Sequence, residues 1–112
     1  MLKGDSILIG HILDAASRAV AKVAGKSRDE FYGDDTLHLA VTHLIQIVGE
    51  ASSKVSTEFQ QQHAELPWRE MTGMRHKIVH DYFEVNLRIV WDVATQDLPA
   101  LIKQLEIIAP NN

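Results

Sequence analysis

Hydrophobic residues recur every three to four positions along most of the chain, the period of an amphipathic helix. The first such stretch predicts a helix from Asp5 to Ala24, which Gly25 ends. Its apolar stripe comprises Leu8, Ile12, Ala15, Ala19 and Val23. Residues 26–33 are predicted to form a connector that Phe31 and Tyr32 anchor.

The second stretch predicts a long helix that opens near Asp34, Asp35 or Thr36 and runs to Phe59. Its seam comprises Leu37, Val41, Leu44, Val48, Ala51, Val55 and Phe59, and Ala40, Ile45 and Ile47 widen the apolar face. A helix that is apolar on two sides needs two neighbours in its own bundle or a partner chain. Gly49 in the middle of this helix indicates close approach of another helix.

Shorter elements follow the long helix. Residues 60–63 are polar and end it, and Pro67 suits the first position of a short helix that reaches Met71. A helix over residues 73–82 comes next, and Asn86 caps a last helix that Pro99 is expected to kink or restart. The last seam comprises Leu87, Val90, Ala94, Leu98, Leu101, Leu105 and Ile108. The predicted fold is a single all-α domain over residues 1–112, an antiparallel bundle of four to five helices.

Composition narrows the classes of function. The chain of 112 residues has no cysteine and a formal net charge of -4. Disulfides and thiolate metal sites are therefore excluded, and a reducing cytoplasm is the expected location. No signal peptide and no apolar run of about 20 residues is present, so no membrane contact is expected. A nucleic-acid function would need a local site, because the surface as a whole is acidic.

The segment from Arg75 to Tyr82 holds most of the polar chemistry of the chain. On a regular helix Arg75 and Tyr82 share one face, and His76 and His80 share another. Arg75 and His80 diverge by roughly 140°. They meet if the helix ends near His80, or if two chains place their copies of the segment side by side about a two-fold axis.

A metal-free ribonuclease needs these residue types. Histidine can accept and donate protons near neutral pH, and the planar guanidinium of arginine can bind two phosphate oxygens at once. Tyr82 could contact phosphate or stack on a base. Two alternatives stay open: a purely structural role, with Arg75 paired to a carboxylate such as Glu70, and a zinc site on His76 and His80. Glu50 is either a surface charge or a partner of Arg75 or His76.

The pattern Arg75-x4-His80-x-Tyr82 resembles the signature of HepT-like ribonuclease toxins of the HEPN superfamily. Residues 47–51 resemble the glycine-glutamate-alanine segment of that family, and residues 66–75 resemble its proline-tryptophan segment. Residues 86–91 and 97–99 resemble its last helix. The likeness covers nearly the whole chain in the same order.

This resemblance implies an all-helical homodimer with the motif at the two-fold interface, and RNA cleavage without a metal or other cofactor. It implies that Arg75 and His80 are catalytic, with His76 assisting. It also implies a type VII toxin–antitoxin pair, in which an MntA-like minimal nucleotidyltransferase antitoxin adenylylates Tyr82 to O-AMP-tyrosine. The added negative charge would lie beside Arg75 and block the phosphate site. A non-catalytic HEPN module that binds a nucleotide or a protein is the alternative.

Overall fold

A computed structural model describes residues 3–78 and 85–109. Every regular element in these ranges is helical, which confirms the all-α class. The α-helices are α1 (Lys3–Val23), α2 (Arg28–Gly33), α3 (Asp35–Lys54), α4 (Thr57–Gln62), α5 (Trp68–Thr72), α6 (Met74–Ile78), α7 (Leu87–Asp92) and α8 (Leu98–Ile108), and a π-helical segment, Val93–Asp97, joins the last two. Within the described ranges, no helix combines the length and apolarity needed to cross a membrane.

The long helices α1 and α3 pack along each other at the centre of the fold. Asp5, near the start of α1, accepts hydrogen bonds from the backbone N–H of Ser56 at 2.9 Å and from its hydroxyl at 2.7 Å. Ser56 follows the end of α3, so the two helices run antiparallel, as predicted. The Asp5 carboxylate is buried, and these two bonds replace the water that it loses on folding.

The core follows the predicted apolar stripes. α8 packs on α1, while α5 and α6 pack on α3. The stripe residues that are at most 7% exposed are Ile12, Ala15, Ala19, Val23, Val41, Leu44, Val48, Ala51, Val55, Phe59, Val90, Ala94, Leu98, Leu101 and Leu105. Leu8, Leu37, Leu87 and Ile108 are partly buried against the same core. Burial of these side chains is the main stabilising term of the fold.

The connector predicted over residues 26–33 contains a helix, so the prediction of a plain connector was wrong. Ser27 and Glu30 form a capping box, in which the Ser27 hydroxyl accepts from Glu30 N–H at 3.1 Å and Glu30 accepts from Ser27 N–H at 2.8 Å. This reciprocal cap starts α2 and carries Phe31 into the core, where it is completely buried. Gly25, at φ +75°, ends α1 as predicted.

The single long helix predicted to reach Phe59 is two helices. Val55 is extended, with φ -66° and ψ 137°, and ends α3. The Ser56 hydroxyl then accepts from the N–H of Phe59 at 3.1 Å and starts α4. The apolar spacing continues across this break because Val55 and Phe59 both face the core, so periodicity alone could not reveal it.

Pro99 affects the last helix through a change of helix type. Leu98 N–H donates to the carbonyl of Val93, five residues earlier, and this wider turn lies directly before Pro99. The helix then continues as α8, with Pro99 in its first turn. A proline lacks the N–H that a regular helix would use, so it fits best where the hydrogen-bond pattern already restarts.

Candidate active site

Helix α6, which contains Arg75, is short, and the residues at its two ends are buried. Met74 and Ile78, four residues apart on α6, are 5% and 0% exposed. They fix one face of α6 in the core. The three residues between them, Arg75, His76 and Lys77, are all exposed. The sequence pattern apolar–polar–polar–polar–apolar therefore presents three basic or ionisable side chains to solvent from an anchored helix.

Gly49 lets α3 approach this helix closely, as the sequence predicted. A Cβ atom at Gly49 would lie 3.3 Å from the backbone nitrogen of Arg75 and 3.4 Å from the carbonyl oxygen of Met71. Both neighbours are backbone atoms, which cannot swing away as a side chain can. The middle of α3 is thereby packed against the junction of α5 and α6 and sets the position of Arg75.

Arg75 and His76 present their polar groups to solvent. Among the described residues, no carboxylate lies within 4.0 Å of either side chain, so the pairing of Arg75 with Glu70 considered above does not occur in this part of the chain. An exposed guanidinium that no described carboxylate neutralises is suited to bind a phosphate.

Glu50 lies next to Gly49 but makes a different contact. Its carboxylate lies 3.5 Å from the ammonium of Lys54, one turn further along α3, and both side chains are largely exposed. Within the described ranges Glu50 is thus a surface charge in an i, i+4 pair, which is the first of the two alternatives for this residue.

Lys77 ties α6 to the π-helical segment. Its ammonium lies 3.7 Å from the Asp97 carboxylate, and both side chains are about half exposed. This pair reduces the positive charge that Lys77 contributes to the surface around Arg75. This contact could not be predicted from local sequence patterns, because the two residues are 20 positions apart.

His80 and Tyr82 lie outside the described residues. A hydrogen bond connects the described segments before and after them: the backbone N–H of Asn86 donates to the carbonyl of Ile78 at 2.9 Å. Asn86 also caps α7 as predicted, with its side chain accepting from Ile89 N–H at 3.2 Å. The predicted convergence of Arg75 and His80 therefore stays a prediction.

A groove between α4 and α5 was not predicted from the sequence. Its volume is about 390 Å³, and it is lined by Thr57, Gln60, Gln61, Ala64, Leu66, Pro67, Trp68, Arg69 and Glu70. The only signal in the sequence was the polar run at residues 60–63, which we interpreted as no more than a helix end. This groove, called the α4–α5 groove below, lies on the elements that lead directly into α6.

In the ranges 3–78 and 85–109, no group of three or more histidine, aspartate, glutamate or cysteine residues is placed to hold a metal ion. The two-histidine site considered above includes His80, which is outside these ranges.

Comparison with known proteins gives the family. A family model described as ribonuclease HepT-like matches residues 12–108. A candidate RNase of Caldanaerobacter subterraneus subsp. tengcongensis is 38% identical over 98 residues, which cover 88% of this chain and 88% of the relative. The probable ribonuclease HepT of Thermococcus cleftensis is 38% identical over 78 residues, covering 70% of this chain and 71% of the relative.

A candidate RNase of Methanocaldococcus jannaschii is 29% identical over 97 residues, covering 87% of this chain and 89% of the relative. No solved structure matches the chain. The family model spans every described helix except the first turns of α1, and the resemblance found in the motif segment is confirmed over nearly the whole sequence. The chain therefore belongs to the ribonuclease HepT-like family.

Proposed function

We propose that this protein is a metal-independent RNA endonuclease and the toxin of a type VII HepT/MntA-like toxin–antitoxin pair. Family membership supports ribonuclease activity. The main support for the proposed RNA cleavage at this site is the exposure of Arg75 and His76 on a helix whose flanking residues Met74 and Ile78 are buried. An anchored cation at the surface can hold a phosphodiester without first reorganising.

In the proposed reaction, the imidazole of His80 takes the proton from the 2′-hydroxyl of RNA. The 2′-oxygen then bonds to phosphorus, and the bond from phosphorus to the 5′-oxygen breaks. A protonated imidazole returns a proton to that oxygen, so the products are a 2′,3′-cyclic phosphate and a 5′-hydroxyl. Arg75 stabilises the extra negative charge on the phosphorus oxygens.

His76 is assigned the assisting role. It is exposed and directly follows Arg75, so it can contact the same phosphate or the leaving oxygen. The proposal needs no metal, because two imidazoles and a guanidinium cover proton removal, proton donation and charge stabilisation.

A homodimer completes the proposed site. Arg75 and His80 diverge on a regular helix, so pooling them across a two-fold axis brings one of each to a single phosphate. Leu39, which is 58% exposed on α3, supports association, whereas Ile47 is partly buried against the core of its own chain. Ile45, which widens the apolar face of α3, is completely buried in the core of its own chain, so the bundle itself covers this part of the face.

Tyr82 is the proposed site at which ribonuclease activity is inhibited. Adenylylation by an MntA-like nucleotidyltransferase would transfer AMP from ATP to the phenolic oxygen, releasing pyrophosphate. The new phosphate carries negative charge and would compete with RNA for Arg75. The exposure of Arg75 supports this proposal because its guanidinium is accessible to a phosphate from outside α6.

RNA cleavage in the presence of EDTA tests the proposal. Wild type is expected to cut RNA, with loss of roughly 100- to 1000-fold in Arg75→Ala and roughly 100- to 10,000-fold in His80→Ala. Matched controls are Arg18→Ala and His11→Ala, which remove an exposed arginine and an exposed histidine on α1.

Two other results of the cleavage assay would contradict the proposed reaction. Cleavage that EDTA abolishes would contradict the metal-free reaction and favour a zinc site on His76 and His80. Intact RNA with unmodified wild type, together with nucleotide binding that His80→Ala leaves unchanged, would favour the non-catalytic HEPN module. The net charge of -4 is the observation that favours this second candidate.

A further inference from the structure

The α4–α5 groove has the lining of a site for an uncharged polar ring. Leu66 and Trp68, 4% and 8% exposed, form an apolar floor. The indole N–H of Trp68 donates to the carbonyl of His63 at 2.8 Å, so its hydrogen-bonding need is already met and it offers only apolar surface. The groove has a volume of about 390 Å³ and is widely open to solvent, so it can hold one face and one edge of a ring but does not enclose a whole molecule.

Polar groups surround this floor at the rim. Gln60 uses its amide N–H on the carbonyl of Val55 at 3.1 Å, which fixes the side chain and leaves its amide oxygen as an acceptor. Gln61 is exposed and offers both a donor and an acceptor. Arg69 and Glu70 carry opposite charges, so the groove is close to neutral and does not favour a bare phosphate.

The groove is aligned with the proposed catalytic residues. Gly73 N–H donates to Arg69 O at 3.0 Å and Lys77 N–H donates to Gly73 O at 2.9 Å, so Gly73, at ψ -1°, is a one-residue break that links α5 directly to α6. Arg69 and His76 are seven residues apart on these two successive helices, and the helical rise over seven residues is roughly 10 Å. This distance corresponds to about three stacked nucleotides.

We propose that the α4–α5 groove binds one base of the RNA substrate, a few nucleotides from the bond that is cut; this rests on the proposed ribonuclease function. A single-stranded base has an apolar face for the floor of Leu66 and Trp68, and an edge that the glutamine amides can hydrogen-bond. The planar guanidinium of Arg69 can cover the other face of the base. The groove then sets which sequences are cut, while Arg75 and His80 act on the phosphate.

Cleavage of a random-sequence RNA pool tests this role in specificity. Wild type is expected to prefer one base at a fixed distance from the cut. Gln61→Ala should weaken that preference roughly fivefold, since it removes one hydrogen bond to the base. Gln62→Ala is the matched control, because Gln62 is also exposed at the end of α4 but does not line the groove. A preference that Gln61→Ala leaves unchanged would overturn the proposal.

A second measurement does not depend on cleavage. In a Trp91→Phe background Trp68 is the single tryptophan, and a 2′-O-methyl RNA, which cannot be cut, should quench its fluorescence saturably. Ala64→Leu, which partly fills the groove, should weaken this binding, whereas Ala100→Leu, at an exposed position on α8, should not.

The two measurements separate the two proposals. Quenching without any cleavage would keep the groove as a base site and remove the nuclease proposal. Cleavage with no quenching by RNA would remove the groove proposal alone. A change in Trp68 fluorescence that depends on protein concentration, without RNA, would assign the groove to a second copy of the chain and also overturn it.

Discussion

Arg75 and His76 are exposed side chains between the buried Met74 and Ile78. Substitution of either exposed residue is therefore expected to change RNA cleavage with little change in the free energy of unfolding. Exposed residues without described partners usually change the free energy of unfolding by no more than about 0.5 kcal/mol when substituted. Met74 and Ile78, in contrast, hold α6 in the core. Loss of activity in Arg75 or His76 variants can therefore be attributed to chemistry, provided that the variants unfold at the temperature of the wild type.

Tyr82→Phe removes only the phenolic oxygen that adenylylation needs. This variant is expected to cut RNA like the wild type and to stay active after incubation with ATP and an MntA-like nucleotidyltransferase. Intact-mass measurement should show added AMP on the wild type and none on the variant. Tyr32→Phe is the control, because it changes the other tyrosine of the chain, which packs against Phe31. If Tyr82→Phe still gains AMP, a different residue is modified; if it loses cleavage by itself, Tyr82 contacts the substrate.

Glu30 provides a pH-dependent contribution to the start of α2. Hydrogen bonds from the backbone N–H and the hydroxyl of Ser27 hold the pKa of the Glu30 carboxyl below its usual value. A lowered pKa means that the charged form favours the folded state, so this stabilisation is present above the ordinary glutamate pKa. It is lost as the pH falls through the lowered value.

NMR titration of Glu30 is expected to show this lowered pKa, and Ser27→Ala should bring it only part of the way back, because the backbone N–H of residue 27, the larger cause, remains. A Glu30 pKa at its usual value in the wild type would show that the capping box is not formed in solution.

At the scale of the helix, Gly49 couples α3 to the position of the proposed catalytic arginine. Gly49→Ala raises helix propensity by up to about 1 kcal/mol. The new methyl group, however, would contact backbone atoms of Arg75 and Met71 at 3.3 and 3.4 Å. We expect no net gain in stability and a clear loss of RNA cleavage, because the junction of α5 and α6 must move away from α3.

Gly10→Ala is the matched control, since Gly10 lies inside α1 and a Cβ atom there would meet no other atom within 4 Å. This control should raise the free energy of unfolding by up to about 1 kcal/mol with unchanged activity. Chemical unfolding and cleavage assays on both variants make the comparison. Equal stabilisation and full activity in Gly49→Ala would show that the close approach does not position Arg75.

Helices that pack along their whole length could be predicted from the sequence, whereas breaks and connectors could not. The stripes of α1 and α8 follow a regular spacing, so burial of Ile12 or Leu101 was predictable. The helix break at Val55 does not change the spacing of apolar residues, so it could not be predicted from that spacing. The capping box of Ser27 and Glu30 was not predicted, and the short helix that it starts has only one fully buried residue, Phe31.

The same division applies to the candidate site. Local features such as the role of Gly49 and the cap at Asn86 were predictable, because they depend on residue type and on neighbours in sequence. Contacts between distant residues were not, and the pairs of Asp5 with Ser56 and of Lys77 with Asp97 are examples. The α4–α5 groove depends on how two short helices are placed, which no local pattern encodes.

For the whole molecule, the proposed two-fold dimer makes an exposed residue on α3 important for activity. Leu39 is 58% exposed on the outward side of this helix. Leu39→Glu is expected to shift the protein toward monomers in light scattering and to reduce cleavage, because a charge is costly to bury at an interface. Ile107→Glu, at an 83% exposed position near the end of α8, should leave the dimer intact.

Mixing two inactive variants tests whether one site takes residues from both chains. Arg75→Ala and His80→Ala dimers should each be inactive. In a mixed dimer, one of the two composite sites receives Arg75 from one chain and His80 from the other, so it is complete. Random exchange makes half of the dimers mixed, and activity should return to about a quarter of the wild-type value. Adding Leu39→Glu to both variants should prevent this recovery. If mixed dimers form but remain inactive, each chain must use its own Arg75 and His80, and the shared site is wrong.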